Sequence, residues 1–456
     1  MSFMKSGPRI FPWSFVGFLM LFMFQYNIEL NAQEALKNDD EYHKKMEWFK
    51  DAKLGIFIHW GIYAVNGIDE SWSFFNEYLS HEDYLKQVDG FTASKYDPKL
   101  WASLIKNSGA KYAVLTAKHH DGFALWDSGY GRLNVAKSPA KSDLIKPFAQ
   151  ELRKQKLKVG LYYSLPDWSY EDYPNFTRNK KRYTNDSLRW NKFLGYYHGQ
   201  LKELNESYKP DLWWFDGDWE FSAKKWRAAE VRNFLLKGNP QTIINSRLKG
   251  YGDYETPEQG VPIVKPASEY WELCMTMNNS WGYQGNDKAY KTPNQIIRIF
   301  TDCISMGGNL LLDIGPKADG TIPEEQIYIL NEIGRWTNKH KEAIFGTRSG
   351  LPFGHFEGPT TLSSDRQTLY LFLTQKTVHP IVIKGLKNQI NRIRIVGEGT
   401  KLSHQVVGKM YWSEVPGLLY IDVPEDKQDP QVTVVAIQLK GKVDLYREDG
   451  QVIESN

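Results

Sequence analysis

A (β/α)8-type barrel followed by a β-sandwich is the fold class that this sequence of 456 residues predicts. Three observations predict it. Short, continuously apolar runs alternate with amphipathic helix-length segments as far as about residue 345; polar residues recur where those runs stop; and beyond Gly350 the texture changes to short β-type segments separated by turn residues. A run apolar on both faces is a strand covered on both faces, and strands alternating with helices are parallel. At this length a closed barrel is the best arrangement of such units, with an open doubly wound sheet as the runner-up.

Taken in order, Lys5 and Arg9 precede an apolar run from Ile10 to Phe24 and the small-residue exit Leu30-Asn-Ala32. That is the layout of a secretory signal peptide cleaved near Ala32, and the run is short for a membrane span. The chain therefore divides into an export segment at 1–32, a barrel domain at 33–348 and a sandwich at 349–456. Charges and apolar positions from Glu34 to Lys50 suit a helix, and Leu54-Gly-Ile-Phe-Ile-His-Trp-Gly61 is the first strand. Leu100, Leu104 and Ile105 give Lys99 to Ser108 helical spacing, and Lys111 to Lys118 is the second strand, running into His119-His-Asp-Gly-Phe123. A helix begun by Asp143 leads to the third strand, Leu157 to Ser164. An aromatic insertion from about Asp167 to Ser187 and a helix from Leu188 to Glu206 precede the fourth strand, Asp211 to Phe215, which runs out in Asp216. A helix at Ala223 to Leu236, a strand at Thr242 to Arg247, a helix at Thr292 to Met306, the strand of Gly308 to Pro316 and a helix from Pro323 to Lys341 complete the series. The sandwich segments begin near Thr368, His379, Ile390, Leu418 and Pro430.

Composition excludes some functions. With 57 Lys+Arg against 54 Asp+Glu and no long basic block, nucleic acid is not an expected partner. Cys274 and Cys303 allow at most one bridge and cannot build a structural zinc site alone. Trp and Tyr number 16 and 26. Most of them fill a large core, but any that line a cleft suit sugar rings.

A barrel carries its chemistry at the C-terminal ends of its strands, and His59, His119, His120, Tyr163, Asp216 and Arg247 all lie there in the predicted layout. Acids, histidines and aromatics in such a cleft point to cleavage of a glycosidic bond. One carboxylate attacks or steers the anomeric carbon and one acid protonates the departing oxygen. Asp216, Asp218, Glu255, Glu258, Glu269 and Glu272 are all candidates, and composition does not choose among them. Adjacent His119 and His120 on a strand would point to opposite sides, and no third ligand accompanies them, so no metal is expected.

Six motifs in order, Gly55-Ile-Phe-Ile-His-Trp-Gly61, Ala117-Lys-His-His-Asp-Gly-Phe123, Gly160-Leu-Tyr-Tyr-Ser164, Leu212-Trp-Trp-Phe-Asp-Gly217, Trp271-Glu-Leu-Cys274 with Ser280-Trp-Gly-Tyr283, and Gly308-Asn-Leu-Leu-Leu-Asp-Ile-Gly-Pro316, carry a resemblance. The sequence resembles the α-L-fucosidases of glycoside hydrolase family 29 over most of residues 40 to 345. The resemblance implies a retaining exo-acting hydrolase with a barrel, a sandwich behind it, and neither metal nor cofactor. It makes Asp216 the nucleophile and Glu258 the acid/base, with Glu272 as the competing candidate and Glu255 a distant third. It makes His59, Glu77, His119, His120, Tyr163, Trp214 and Arg247 contacts of the fucose, with Trp281 and Phe57 beside its C6 methyl group. At Glu77 the match is imperfect, because the family often has Glu-Trp-Tyr where this chain has Glu77-Tyr-Leu. The implied partner is a fucosylated oligosaccharide or glycoconjugate, with no membrane association after signal cleavage. A catalytically silent, lectin-like relative and a hydrolase for α-L-galactose are the other functions the same scaffold could serve.

Overall fold

The computed structural model describes residues 40–446, so the expected export segment at 1–32 lies outside the described residues. A helix, Asp40–Ala52, opens the described chain, and residues 48–446 belong to one compact unit. Seven parallel strands follow: β1 (Leu54–Ile58), β2 (Tyr112–Lys118), β3 (Lys158–Ser164), β4 (Leu212–Asp216), β5 (Ile243–Ile244), β6 (Glu272–Thr276) and β7 (Asn309–Ile314). They lie side by side in the order β5-β4-β3-β2-β1-β7-β6. Every residue of β1, β2, β4, β6 and β7 is buried. One face of each strand fills the barrel and the other meets the helices, which is why these runs are apolar throughout.

The sheet closes where the sequence shows no strand. β5 is shorter than the predicted Thr242 to Arg247, leaving Arg247 in the turn beyond it, and β6 was legible only as a motif. Between them runs Tyr254 to Glu258, joined by parallel bridges Asn245 to Tyr254, Glu255 to Trp271 and Glu258 to Cys274. Ser246 N donates to Tyr254 O, Glu272 N to Glu255 O and Cys274 N to Pro257 O. This irregular segment is the eighth stave.

Local signals start the outer helices. Asp97 accepts from Lys99 N and Leu100 N at the head of Pro98–Asn107, and Thr292 with Gln295 forms a capping box on Pro293–Ser305. The helix predicted at Ala223 to Leu236 is broken at Arg227, whose φ of 52° is left-handed. That break lets Trp226 turn inward, where its Nε1 donates to Asp218 O at 3.1 Å.

The C-terminal region holds β8 (Arg348–Ser349), β9 (Thr360–Leu362), β10 (Thr368–Leu373), β11 (Ile381–Lys384), β12 (Ile390–Ile395), β13 (His404–Val407), β14 (Leu418–Ile421) and β15 (Thr433–Leu439). They form a sheet ordered β12-β15-β10-β9-β8 and a smaller one ordered β11-β14-β13. Alternation along β10 divides the work. Leu369 and Leu371 pack between the two sheets with Ile383, Leu419 and Ile421, whereas Tyr370 and Phe372 join Trp336 in the barrel's core. Trp336 Nε1 donates to Val432 O at 2.8 Å, tying the last long helix, Glu324–Lys339, to the large sheet.

Candidate active site

Asp216 is the last residue of β4, at the rim where a barrel carries its chemistry. Gly217 follows with φ +81°, and a Cβ there would lie 2.2 Å from Pro166 Cδ. Only glycine permits this turn. Asp216 Oδ1 accepts from Arg247 Nη1 at 2.8 Å and Oδ2 from the Tyr162 hydroxyl at 2.9 Å. Arg247 Nη2 donates to Glu258 Oε2 at 2.7 Å. One guanidinium thus spans two carboxylates, which places them no further apart than about 8 Å, two hydrogen bonds plus the breadth of the fork. Asp216 is buried, while the Glu258 side chain is 40% exposed at the mouth. Burial works against the Arg247 charge, but Asp216 and Glu258 outweigh it and hold the guanidinium above its ordinary value. Arg247 also lies over the Trp214 ring, 4.5 Å from its centroid.

The histidines are oriented from behind. His59 Nδ1 meets Asp313 Oδ1 at 2.7 Å, and burial pushes the imidazole well below its usual range and the carboxyl well above its own. His119 Nδ1 is hydrogen-bonded to Ser71 Oγ, and its ring stacks on Tyr162 at 7° with centroids 5.5 Å apart. His120 Nδ1 meets Ser164 Oγ, whose own proton goes to Pro166 O at 2.6 Å. Ser164 can therefore only accept from Nδ1–H, which leaves His120 Nε2 as an acceptor. Burial and the neighbouring Lys118 lower His120 to about 3, so its 3.5 Å approach to Asp216 Oδ2 is not an ion pair at neutral pH.

The sequence model of the α-L-fucosidase family matches residues 22–342. The chain belongs to the α-L-fucosidase family. The tissue α-L-fucosidase of Rattus norvegicus is 31% identical over 359 residues, 72% of this chain and 74% of that protein. Among solved structures, α-L-fucosidase isoenzyme 1 from Paenibacillus thiaminolyticus aligns with a TM-score of 0.81 at 33% identity, covering 88% of this chain and 100% of that one. A GH29 α-L-fucosidase from Bacteroides thetaiotaomicron, trapped as a covalent intermediate with 2-fluoro-fucosyl fluoride, aligns with a TM-score of 0.77 at 28% identity, covering 87% and 96%.

For a member of the α-L-fucosidase family, the structure brings most of the expected sugar contacts together and turns two away. His59, His119, His120, Trp214, Arg247 and Trp281 surround Asp216; the Trp281 ring lies 5.0 Å from His59 and 6.0 Å from Phe57. Tyr163 is a correction. It points outward, donating to Gln200 Oε1 at 2.9 Å, because the parallel register sets Tyr162 beside Trp214 and Ser164 beside Asp216 while Tyr163 pairs with Phe215. Glu77 is a second correction: exposed on its loop, it accepts from Thr177 Oγ1 and Asn179 Nδ2 and braces the insertion. Glu272, the competing candidate for the acid/base, begins β6 and lies in the layer of Tyr112, the first residue of β2, beneath Trp214. Tyr112 and Trp214 Nε1 both donate to it. Glu255 faces outward, since Tyr254, Thr256 and Glu258 take the inner positions of the stave.

Several members of the site were not singled out from sequence: Tyr162, Ser164, Asp313, Ser71 and Glu70. Glu70 is buried and accepts from Gly282 N, and burial holds its carboxyl up at about 8. The pair His119 and His120 lies just past the end of β2, so both rings reach the site despite being adjacent. The signal available was parity: Trp214 and Asp216 are two apart, and a neighbouring parallel strand must offer a residue of the same face. Among the described residues no group of three or more His, Cys, Asp or Glu is arranged to hold a metal ion.

Proposed function

We propose that the chain is an exported, retaining exo-α-L-fucosidase in which Asp216 is the nucleophile and Glu258 the acid/base. The observation that carries the assignment is the shared guanidinium of Arg247, which meets a buried carboxylate with one arm and a carboxylate at the mouth with the other. Retaining glycosidases use two such groups ~5 to 5.5 Å apart. Asp216 attacks C1, and Glu258 gives its proton to the departing oxygen. Glu258 then takes a proton from the water that attacks C1 and frees Asp216, so fucose leaves with its configuration retained. Tyr162 and Arg247 hold the Asp216 carboxylate aimed at C1 until the bond forms.

His59, His119, His120 and Trp214 grip the sugar hydroxyls and ring in this scheme. His120 accepts from a hydroxyl next to C1, and Trp281 with Phe57 covers the C6 methyl. The covalent intermediate trapped in the Bacteroides thetaiotaomicron enzyme supports the two-step route. The experiment is incubation with an aryl α-L-fucoside, with released phenol measured and the first-formed fucose anomer read by NMR. The α-anomer is expected; no phenol, or the β-anomer, refutes the assignment. An aryl α-L-galactoside in parallel tests the related-sugar alternative, and a bound but uncleaved fucoside would mark a lectin. Export is tested by N-terminal sequencing of the secreted protein, which should begin near Gln33.

A further inference from the structure

Beside the catalytic pocket, where the loops after β1, β3 and β4 meet, lies a cleft of about 370 Å³. Trp72 and Phe75 line it from the first loop, Trp219 and Phe221 from the last, and Arg178 and Lys181 from the insertion. It shares a wall with the reacting centre. Trp72 and Trp219 lie 5.6 and 6.0 Å from the His120 ring, and His120 Nε2 is 3.5 Å from Asp216 Oδ2. A group in the cleft is therefore one side chain away from the sugar being cleaved, which suits a neighbouring sugar of the same glycan. The two indoles are nearly parallel, at 15° with centroids 6.4 Å apart, and Trp219 is 50% exposed. Broad apolar faces of this kind suit the C–H face of a pyranose.

The polar side of the cleft carries a net positive charge, Arg178 and Lys181 against Glu220. Glu220, the acid in its wall, is occupied by Trp168 Nε1, the Tyr173 hydroxyl and Asn175 Nδ2. Glu77 is occupied by Thr177, Asn179 and Lys180. Arg178 spends Nε on Asn76 Oδ1 at 2.8 Å and lies 5.6 Å from the Phe75 ring centroid, and it forms no ion pair among the described residues. Lys181 forms no ion pair among the described residues, and Lys225 adds a further cation over the Phe221 ring at 3.7 Å. Two exposed cations beside stacked indoles make a receptor for a sugar that bears a negative charge.

We propose that this cleft is a subsite for a second sugar of the substrate, and that the sugar carries an anionic group, a sulfate ester or a carboxylate, received by Arg178 and Lys181. The proposal rests on the fucosidase assignment above. It is tested with the full chain on four substrates: an aryl α-L-fucoside, a neutral fucosyl disaccharide, and the same disaccharide with a sulfate ester or a uronic carboxylate on the second sugar. At low salt, kcat/KM should be about tenfold higher for at least one anionic disaccharide than for the neutral one, and the preference should shrink as salt is added. Whichever anion gains identifies the group. Arg178→Gln combined with Lys181→Gln should bring the ratio near one without changing turnover of the aryl fucoside. Should the double variant also lose aryl turnover, Lys181→Gln alone replaces it, with a smaller fall in the ratio expected. A ratio near one in the unaltered chain, or a ratio that the variant keeps, overturns the subsite. Failure of the unaltered chain to cleave the aryl fucoside overturns the fucosidase assignment instead.

Discussion

Replacing Glu272 with Gln separates the two candidate acids by two independent measurements. Glu272 is buried in the barrel floor, and burial raises its carboxyl from 4.5 to about 7 against the hydrogen bonds from Tyr112 and Trp214. In the unfolded chain the group ionises near its ordinary value. The native state therefore keeps a proton that the unfolded state releases, and its stabilising contribution is complete below about pH 4.5 and is lost as pH rises to about 7. A rise of that size corresponds to about 3 kcal/mol. Glutamine fits the same place: its carbonyl accepts from Trp214 Nε1, and its amide donates to the Tyr112 oxygen once that hydroxyl rotates. Urea unfolding followed by tryptophan fluorescence, repeated between about pH 4 and about pH 8, should show a fall in stability about 3 kcal/mol smaller in Glu272→Gln than in the unaltered chain. The raised carboxyls of Glu70 and Asp121 titrate in both proteins and cancel in the difference. Turnover should stay within a few-fold, because Trp214 stands between Glu272 and Asp216. A loss of ~100-fold or more that azide restores would make Glu272 the acid/base. A pH-independent difference would show that its ionisation costs the fold nothing.

Other expectations concern the site itself. Glu258→Ala should slow a natural glycan by ~10² to 10⁴-fold, slow a fucoside with a good leaving group less, and respond to azide; equal slowing of both substrates without rescue would exclude it. Asp216→Asn should fold normally by circular dichroism and lose ~10⁴-fold or more of turnover. Tyr162→Phe removes a hydrogen bond to Asp216 and should lower kcat/KM by about tenfold. Tyr163→Phe breaks only the buried contact to Gln200, so kcat/KM should hold while stability falls by about 1 kcal/mol.

How far the site was legible depends on what each residue signals locally. β4 is plain in sequence because a buried parallel strand is an unbroken apolar run and Asp216 is the acid that ends it. The same unbroken burial hides which residue of a Tyr-Tyr pair faces inward, since a strand covered on both faces has no alternation to count. Tyr162 and Tyr163 were thus indistinguishable until register with β4 assigned them to opposite faces. The eighth stave was invisible for another reason. Tyr254 to Glu258 has no apolar run, and isolated backbone bridges hold it in place between β5 and β6.

The sequence by itself determined the strand-helix alternation, the change to a sandwich, the strand-end residues His59, His119, His120, Asp216 and Arg247, and the family that their motifs resemble. These follow from composition and order along the chain, which folding does not alter. Tertiary structure alone set Glu258 at the mouth and Glu272 in the floor, turned Tyr162 rather than Tyr163 inward, placed Glu77 against the insertion and brought in Asp313 and Ser71. Each of those depends on which layer and which face a side chain occupies, and that is set by register between strands far apart in sequence. β1 and β7 are separated by most of the barrel, yet only their pairing sets Phe57 beside Asp313 and carries the acid to His59.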